Sequence, residues 1–212
     1  PDSGKRDLLG QKFDVANNQN GNIFLLHSTT NVHETSYDII NTADGGYILA
    51  FAVHEVNPDT LNIRAFDSNL NGLYNDKYVL TTDYEMVDIK IREAMDGTFI
   101  VSWAQKSSSN SPKYIYYSLL APDTSVITTQ QITPNPSSYI VPFALADGSL
   151  GVMWQENNEI LSRKITTTGD TLLEWTVTSS PNSQVPISAD SLADGRFIFT
   201  WHSPEGIDRY NA

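Results

Sequence analysis

Bulky apolar residues recur at every second position in four short runs of this chain, and each run follows an Asp-Gly pair. They are Tyr47, Leu49 and Phe51 after Asp44; Phe99, Val101 and Trp103 after Asp96; Leu150, Val152 and Trp154 after Asp147; and Phe197, Phe199 and Trp201 after Asp194. The alternate positions are smaller or polar, as at Ala50, Ser102 and Thr200. A period of two with apolar or small residues on both faces predicts strands buried on both sides, a large face meeting a smaller one. An extended run also precedes each pair, at residues 37–40, 87–91, 139–145 and 185–192, so each Asp-Gly joins the two arms of a hairpin.

Two further extended runs follow in each of the first three units: 61–66 and 77–81, 114–119 and 127–133, 159–165 and 172–178. Strong turn chemistry joins them: Asp67-Ser68-Asn69-Leu70-Asn71-Gly72, Ala121-Pro122-Asp123 and Thr168-Gly169-Asp170. The Asp residues of the four pairs stand 52, 51 and 47 positions apart, which makes the chain a tandem repeat of four-stranded meanders. At the ends, residues 6–14 and 23–30 read as the last two strands of a unit, while 185–203 supply only the first two. The expected fold is therefore all-β: a small β-propeller of about four four-stranded antiparallel blades, one blade shared between the N- and C-terminal segments. Residues 1–212 form a single repeat domain with units at about 31–82, 83–134, 135–180, and 181–212 plus 1–30. A segment of a larger propeller and a linear β-repeat array are the alternatives; no stretch carries a helical period over ten or more residues.

Charge narrows the partners. Thirteen Lys and Arg stand against 25 Asp and Glu, a formal net charge of −12, which repels phosphate backbones and anionic lipid headgroups. Neither nucleic acid nor direct membrane binding is expected. The absence of cysteine excludes disulfides, thiolate chemistry and Cys-based metal sites. Asn135 is followed by Pro136, and no other Asn opens an N-glycosylation acceptor. The opening Pro1-Asp2-Ser3-Gly4 has no signal-peptide pattern and no Met, the expectation for a processed product or an excerpt of a longer polypeptide.

Four groups of residues invite a chemical reading. The repeated Asp44, Asp96, Asp147 and Asp194 suit tight turns, where Asp bonds nearby backbone and Gly takes a positive φ. The aromatic column Phe51, Trp103, Trp154 and Trp201 suits the space between blades better than sugar stacking. Asp67, Asn69 and Asn71 match the opening of a calcium loop, but its twelfth position is Tyr78 rather than a bidentate acid, with Asp76 as the substitute. No cofactor is expected, calcium being the one candidate.

The fourth group lies on the face where the second strand of a unit turns to the third and the fourth passes to the next unit. Such loops on a rigid scaffold carry binding. They bring together His33, Glu34, Tyr84, Glu85 and Glu205, and the ligand-binding candidates His54, Gln105, Tyr139, Gln155, Glu156 and His202. Catalysis there would need paired carboxylates such as Glu55 and Glu156 about 5 to 9 Å apart. No nucleophile elbow, HExxH helix or Gly-rich phosphate loop marks an enzyme, so no catalytic residue is assigned.

The runs Leu8-Leu9-Gly10-Gln11-Lys12-Phe13-Asp14, Ala43-Asp44-Gly45-Gly46-Tyr47-Ile48-Leu49-Ala50-Phe51 and Ala193-Asp194-Gly195-Arg196-Phe197-Ile198-Phe199-Thr200-Trp201 carry a resemblance over nearly the whole chain. It resembles the DGG-(F/Y)-V-V-x-W and G-Q-R-F-D repeats of very large secreted or surface-attached bacterial and protist adhesin-like proteins. That resemblance implies an extracellular or cell-surface module within a longer polypeptide. A fainter similarity to sialidase-type propellers fails at the Asp-box, because Gly follows Asp directly and the aromatic comes seven residues on. The arginine triad of those enzymes has no match either, since Arg64, Arg92, Arg163 and Arg196 sit at differing points of the repeat.

The sequence thus leads to a non-enzymatic surface module, a rigid spacer or protein-interaction platform whose partners are proteins or neighbouring modules. A carbohydrate-binding propeller with one composite glycan site on the loop face is the alternative, and a glycoside hydrolase a distant third.

Overall fold

The computed structural model describes residues 7–13, 16–27, 33–54, 58–73, 76–108, 110–179, 185–192 and 196–203. Every regular element among them is a β-strand. A short pair, β1 (Leu8–Gly10) and β2 (Phe24–His27), precedes three full units. The first comprises β3 (His33–Asn41), β4 (Tyr47–His54), β5 (Asp59–Phe66) and β6 (Lys77–Thr82). The second comprises β7 (Glu85–Glu93), β8 (Phe99–Lys106), β9 (Tyr114–Leu120) and β10 (Val126–Gln131). The third comprises β11 (Ser138–Ala144), β12 (Leu150–Glu156), β13 (Glu159–Ile165) and β14 (Thr171–Ser179). A second pair, β15 (Val185–Ser191) and β16 (Phe197–His202), follows.

Each full unit is one antiparallel sheet in meander order. One turn design builds most of the hairpins. In the β3–β4 loop Thr42 N–H donates to Gly46 O, Gly45 N–H donates to Thr42 O, and Gly45 takes φ +85°. The loops ending at Thr98, Ser149, Asp170, Ser125 and Asn71 repeat both bonds, with the left-handed place held by Gly97, Gly148, Gly169, Thr124 and Leu70. This is the three-residue hairpin loop in which a type I turn is followed by one left-handed residue. Glycine holds that place without steric cost, and the Asp before it anchors the turn.

The sheets stack large face on small face. Phe99, Val101 and Trp103 of β8 pack on Ile48, Ala50 and Ala52 of β4. Leu150, Val152 and Trp154 of β12 pack in turn on Ile100 and Ala104 of β8. Phe51 points back the same way, into a cluster with Leu8 and Leu26 of the first pair. Phe51 and Trp103 are 0% exposed and Trp154 1%, so each middle strand is covered on both faces. Burial of one such side chain contributes about 3 kcal/mol.

The first strands of the units converge on one axis. A cavity of about 720 Å³ is lined by residues 40–43, 92–95, 143–146 and 189–192, four from the end of each of β3, β7, β11 and β15. A ring of first strands around a central channel, with sheets radiating from it, is the architecture of a β-propeller. Bonds across the channel wall tie neighbours: Ile89 N–H donates to Ser36 Oγ at 2.9 Å and Ile91 N–H to Asp38 Oδ2 at 3.1 Å.

The fourth unit is present as two halves. β15–β16 packs on the third sheet, with Ala189, Phe199 and Trp201 against Val141, Phe143 and Met153. Gly151 leaves the room for this, because a Cβ there would overlap the Phe143 ring. β1–β2 lies on the far side of the first sheet. No ladder joins the two halves among the described residues, so the single shared sheet expected from the sequence stands here as two separate hairpins.

Two arginines fix the place of β1–β2. Arg64 pairs in register with Leu49 and Arg163 with Val152, both five residues past their Asp. Arg163 donates to Ile132 O, at the outer edge of the preceding sheet, and Arg64 donates likewise to Leu26 O of β2, each at 2.9 Å. β1–β2 therefore occupies the outer half of the unit before β3. This corrects the reading that all four arginines sit at differing points of the repeat. The β4–β5 loop is longer than the β12–β13 loop, and it hides the equivalence of Arg64 and Arg163 in the linear sequence.

Candidate functional site

Meander topology puts the Asp-Gly loops at one end of the sheets and the loops at 55–58, 83–84, 107–113, 132–137 and 157–158 at the other. The six ligand-binding candidates all fall at the second end, yet the structure gives them different work.

His54 closes β4 with its Nδ1 2.6 Å from Asp59 Oδ1. Asp59 is 1% exposed, and its other oxygen accepts from Met86 N–H at 2.9 Å. The trio thus clamps the first sheet to β7 of the second. Glu156, also buried, accepts from Asn135 Nδ2 at 2.6 Å and from Trp154 Nε1 at 3.2 Å, holding the loop before β11 against β12. Gln155 is buried beside it, and His202 is exposed at the end of β16. Glu55, Glu205 and Asp194 lie outside the described residues, as do the side chains of His33 and Glu34.

Tyr139 sits at a bulge between Ser138 and Ile140 with φ +54°, an uncommon backbone state for a bulky residue. Bulges re-aim side chains, and here the ring turns outward, 44% exposed, with Lys113 Nζ 5.8 Å from its centre. Lys113 also pairs at 2.6 Å with Asp88, which has φ +58° at the corresponding bulge of β7. One lysine thus spans the bulged residues of two neighbouring inner strands.

Gln105 belongs to another feature, a cleft of about 500 Å³ at the loop end of the second sheet. Tyr84, Tyr114 and Tyr116 form its aromatic lining, and Gln105, Lys106 and Gln131 its polar one. Strand register explains the assembly: Gln105 pairs with Tyr114, Trp103 with Tyr116, and Tyr116 with Gln131 across three adjacent strands. Tyr116 lies nearly parallel to Trp103, their ring centres 5.9 Å apart and their planes 13° off, so the aromatic floor is fixed from beneath. Burial raises the Tyr116 hydroxyl above the ordinary phenol value, helped by Tyr84 and Tyr114 nearby. Tyr84 and Tyr114 remain 50% and 36% exposed at the rim.

Of the six candidates only Gln105 lines this cleft. Tyr84 and Gln105 stood out in the sequence as members of the loop face; Tyr114, Tyr116 and Gln131 did not. The signal was present as the alternation Tyr114-Ile115-Tyr116, a wet aromatic face opposite a fully buried isoleucine.

The Asp-Gly carboxylates act within their own turns. Asp44 Oδ1 accepts from Thr42 Oγ1 at 2.5 Å and Gly46 N–H at 3.2 Å, Asp96 Oδ1 from Thr98 N–H at 2.9 Å, and Asp147 Oδ1 from Ser149 N–H at 3.0 Å. Lys164 and Ser149 hold Asp147 down to about 2. Asp67 behaves alike: Oδ1 accepts from Asn69 and Asn71 N–H, and Oδ2 from Asn71 Nδ2, each at 2.8 Å. Asp76, the substitute calcium ligand, instead pairs with His27 at 2.8 Å and Arg64 at 3.6 Å. Among the described residues no group of three or more acids or histidines is placed to hold a metal ion.

No protein-family model matches the chain, and no curated protein matches it in sequence. Three solved structures are similar in strand arrangement. An endo-arabinase from Bacteroides thetaiotaomicron shares 16% identity over 81% of this chain and 70% of its own, with a TM-score of 0.45. The Dos1 propeller shares 15% over 87% of this chain and 45% of its own, at 0.48. The Nup133 β-propeller domain of Vanderwaltozyma polyspora shares 10% over 76% and 51%, at 0.38. The chain spans about half the length of the last two. The fold itself rests on the sheet order and the axial cavity: this chain is built as a β-propeller.

Proposed function

We propose that this chain is a non-enzymatic, extracellular or cell-surface module, a rigid platform that presents its loop face to protein partners or neighbouring modules in a larger assembly. One observation carries the reading. The buried carboxylates of the loop end, Asp59 and Glu156, are committed to imidazole, backbone, indole and amide partners, Asp59 tying the first sheet to the second and Glu156 the loop before β11 to β12. A carboxylate so engaged stiffens the scaffold and has little capacity left for acid–base work. Purified protein incubated with panels of chromogenic glycosides and esters should give no turnover above buffer. Robust, saturable turnover that survives repurification would overturn the reading.

A second reading, glycan recognition by the same non-enzymatic module, is favoured by the tyrosine-lined cleft of the second sheet. It predicts binding without hydrolysis, measured by calorimetry with the glycan recovered intact.

A further inference from the structure

We infer that the cleft of the second sheet is a binding site for a neutral saccharide, with Gln105 as the residue that selects it. The inference rests on the glycan-recognition reading and deepens it.

Gln105 is the informative residue. It is 8% exposed, lines the cleft, and makes no side-chain hydrogen bond among the described residues. A primary amide has two donors and an acceptor, and those of Gln105 are not among the sealed, partnerless polar atoms of the core but reach the open cleft. The neighbouring Glu156 shows how the fold treats a buried polar group it uses internally, with a partner on each oxygen. Gln105 instead holds its amide ready at the wall of an open cleft.

The guest must therefore offer donors and acceptors together, beside a surface that packs on tyrosine faces. A sugar ring does both, since each hydroxyl donates and accepts and its C–H face is apolar. A proline-rich segment, the other frequent guest of tyrosine-lined grooves, offers carbonyl acceptors but few N–H donors and would leave Gln105 Oε1 unpaired.

The charge of the guest follows from the remaining liners. Lys106 is the one charged residue among them, and its Nζ pairs with Glu85 Oε1 at 3.3 Å. A cleft with a compensated cation on a chain of net charge −12 offers an acidic sugar no uncompensated partner. A cleft of about 500 Å³ also falls within the range of small-molecule sites. Because Tyr116 is braced on Trp103, the floor is ordered before the ligand arrives, which lowers the entropic cost of binding.

The test is an array of neutral gluco-, manno-, galacto- and xylo-oligosaccharides, with sialylated and sulfated glycans and a proline-rich peptide alongside. Calorimetry follows on the strongest binder. Saturable binding to a neutral oligosaccharide is expected, at least tenfold weaker in Tyr84→Ala, Tyr114→Ala and Gln105→Leu. The two tyrosines are rim residues, so their variants should melt with the parent protein and keep the test valid if Gln105→Leu folds poorly. The inference is overturned if no neutral oligosaccharide binds, if only acidic glycans or the peptide bind, or if both tyrosine variants keep parental affinity. None of these outcomes touches the non-enzymatic reading, which falls only to turnover.

Discussion

The third sheet and the hairpin that follows it carry the same repeat, an Asp-Gly turn and an aromatic seven residues on, yet they end in different environments. In the third sheet Trp154 is 1% exposed, between Ile100 and Ala104 on one side and its own sheet on the other. In β15–β16, Trp201 is half-buried, while Phe197 and Ile198 of the same strand are 40% and 52% exposed. β12 has β11 and β13 as ladder partners, whereas among the described residues β16 pairs with β15 alone. The repeat therefore encodes a strand that is able to be buried on both faces. Whether it is buried depends on having a neighbour on each side.

The comparison can be broken most directly at the two tryptophans. Trp154→Ala should cost about 3–5 kcal/mol in urea unfolding, the usual loss for a large side chain removed from a closed core. Trp201→Ala should cost half that or less. Equal losses would mean that β16 is as fully enclosed as β12. The arginine ties sharpen the same contrast. Arg163→Met, which cuts the link between two complete sheets, should cost about 1.5–3 kcal/mol, the range of a charged hydrogen bond. Arg64→Met cuts the link to the half-unit and should cost less, because its side chain is 31% exposed against 16% for Arg163. Paired thermal melts would rank them, and a larger loss at Arg64 would make the N-terminal pair a stronger buttress than its size suggests.

The smallest effect is a dependence on acid. The folded pKa of Asp147 is about 2, below its ordinary 3.8, chiefly because Lys164 and Ser149 bond the carboxylate. A depressed folded pKa contributes stability that is complete above about pH 4 and lost as pH falls from about 4 to 2. With the carboxylate 56% exposed, screening keeps this below about 1 kcal/mol. Asp147→Asn should flatten the melting temperature of the parent protein across that window. An unchanged slope would assign the acid sensitivity to Asp44, Asp67, Asp96 and Asp123, which are lowered in the same direction.

Much of the architecture was legible because it is local. The hairpin loops announce themselves through Asp and Gly, whose conformational preferences need no distant partner. The alternation around Trp103 and Trp154 identified the doubly buried strands for the same reason. The candidate site was less legible. His54 and Glu156 read as polar loop residues, yet both work in the scaffold: His54 pairs with Asp59 across its own hairpin, Asp59 in turn binds Met86 N–H of the next sheet, and Glu156 binds Asn135 of the loop that links the second sheet to the third. Tyr116 and Gln131 went unnoticed because they come from different strands and meet through register.

By itself the sequence determined the strand periodicity, the turn design, the repeat length and an acidic surface without thiols. All of these follow from short-range sterics, hydrogen bonding and net charge. Tertiary structure alone decided which equivalent aromatic is sealed, which arginines are equivalent, and that the Gln105 amide faces an open cleft beside a braced tyrosine floor. Those outcomes depend on what the neighbouring sheet presents across the gap, and that neighbour lies about fifty residues away in the chain.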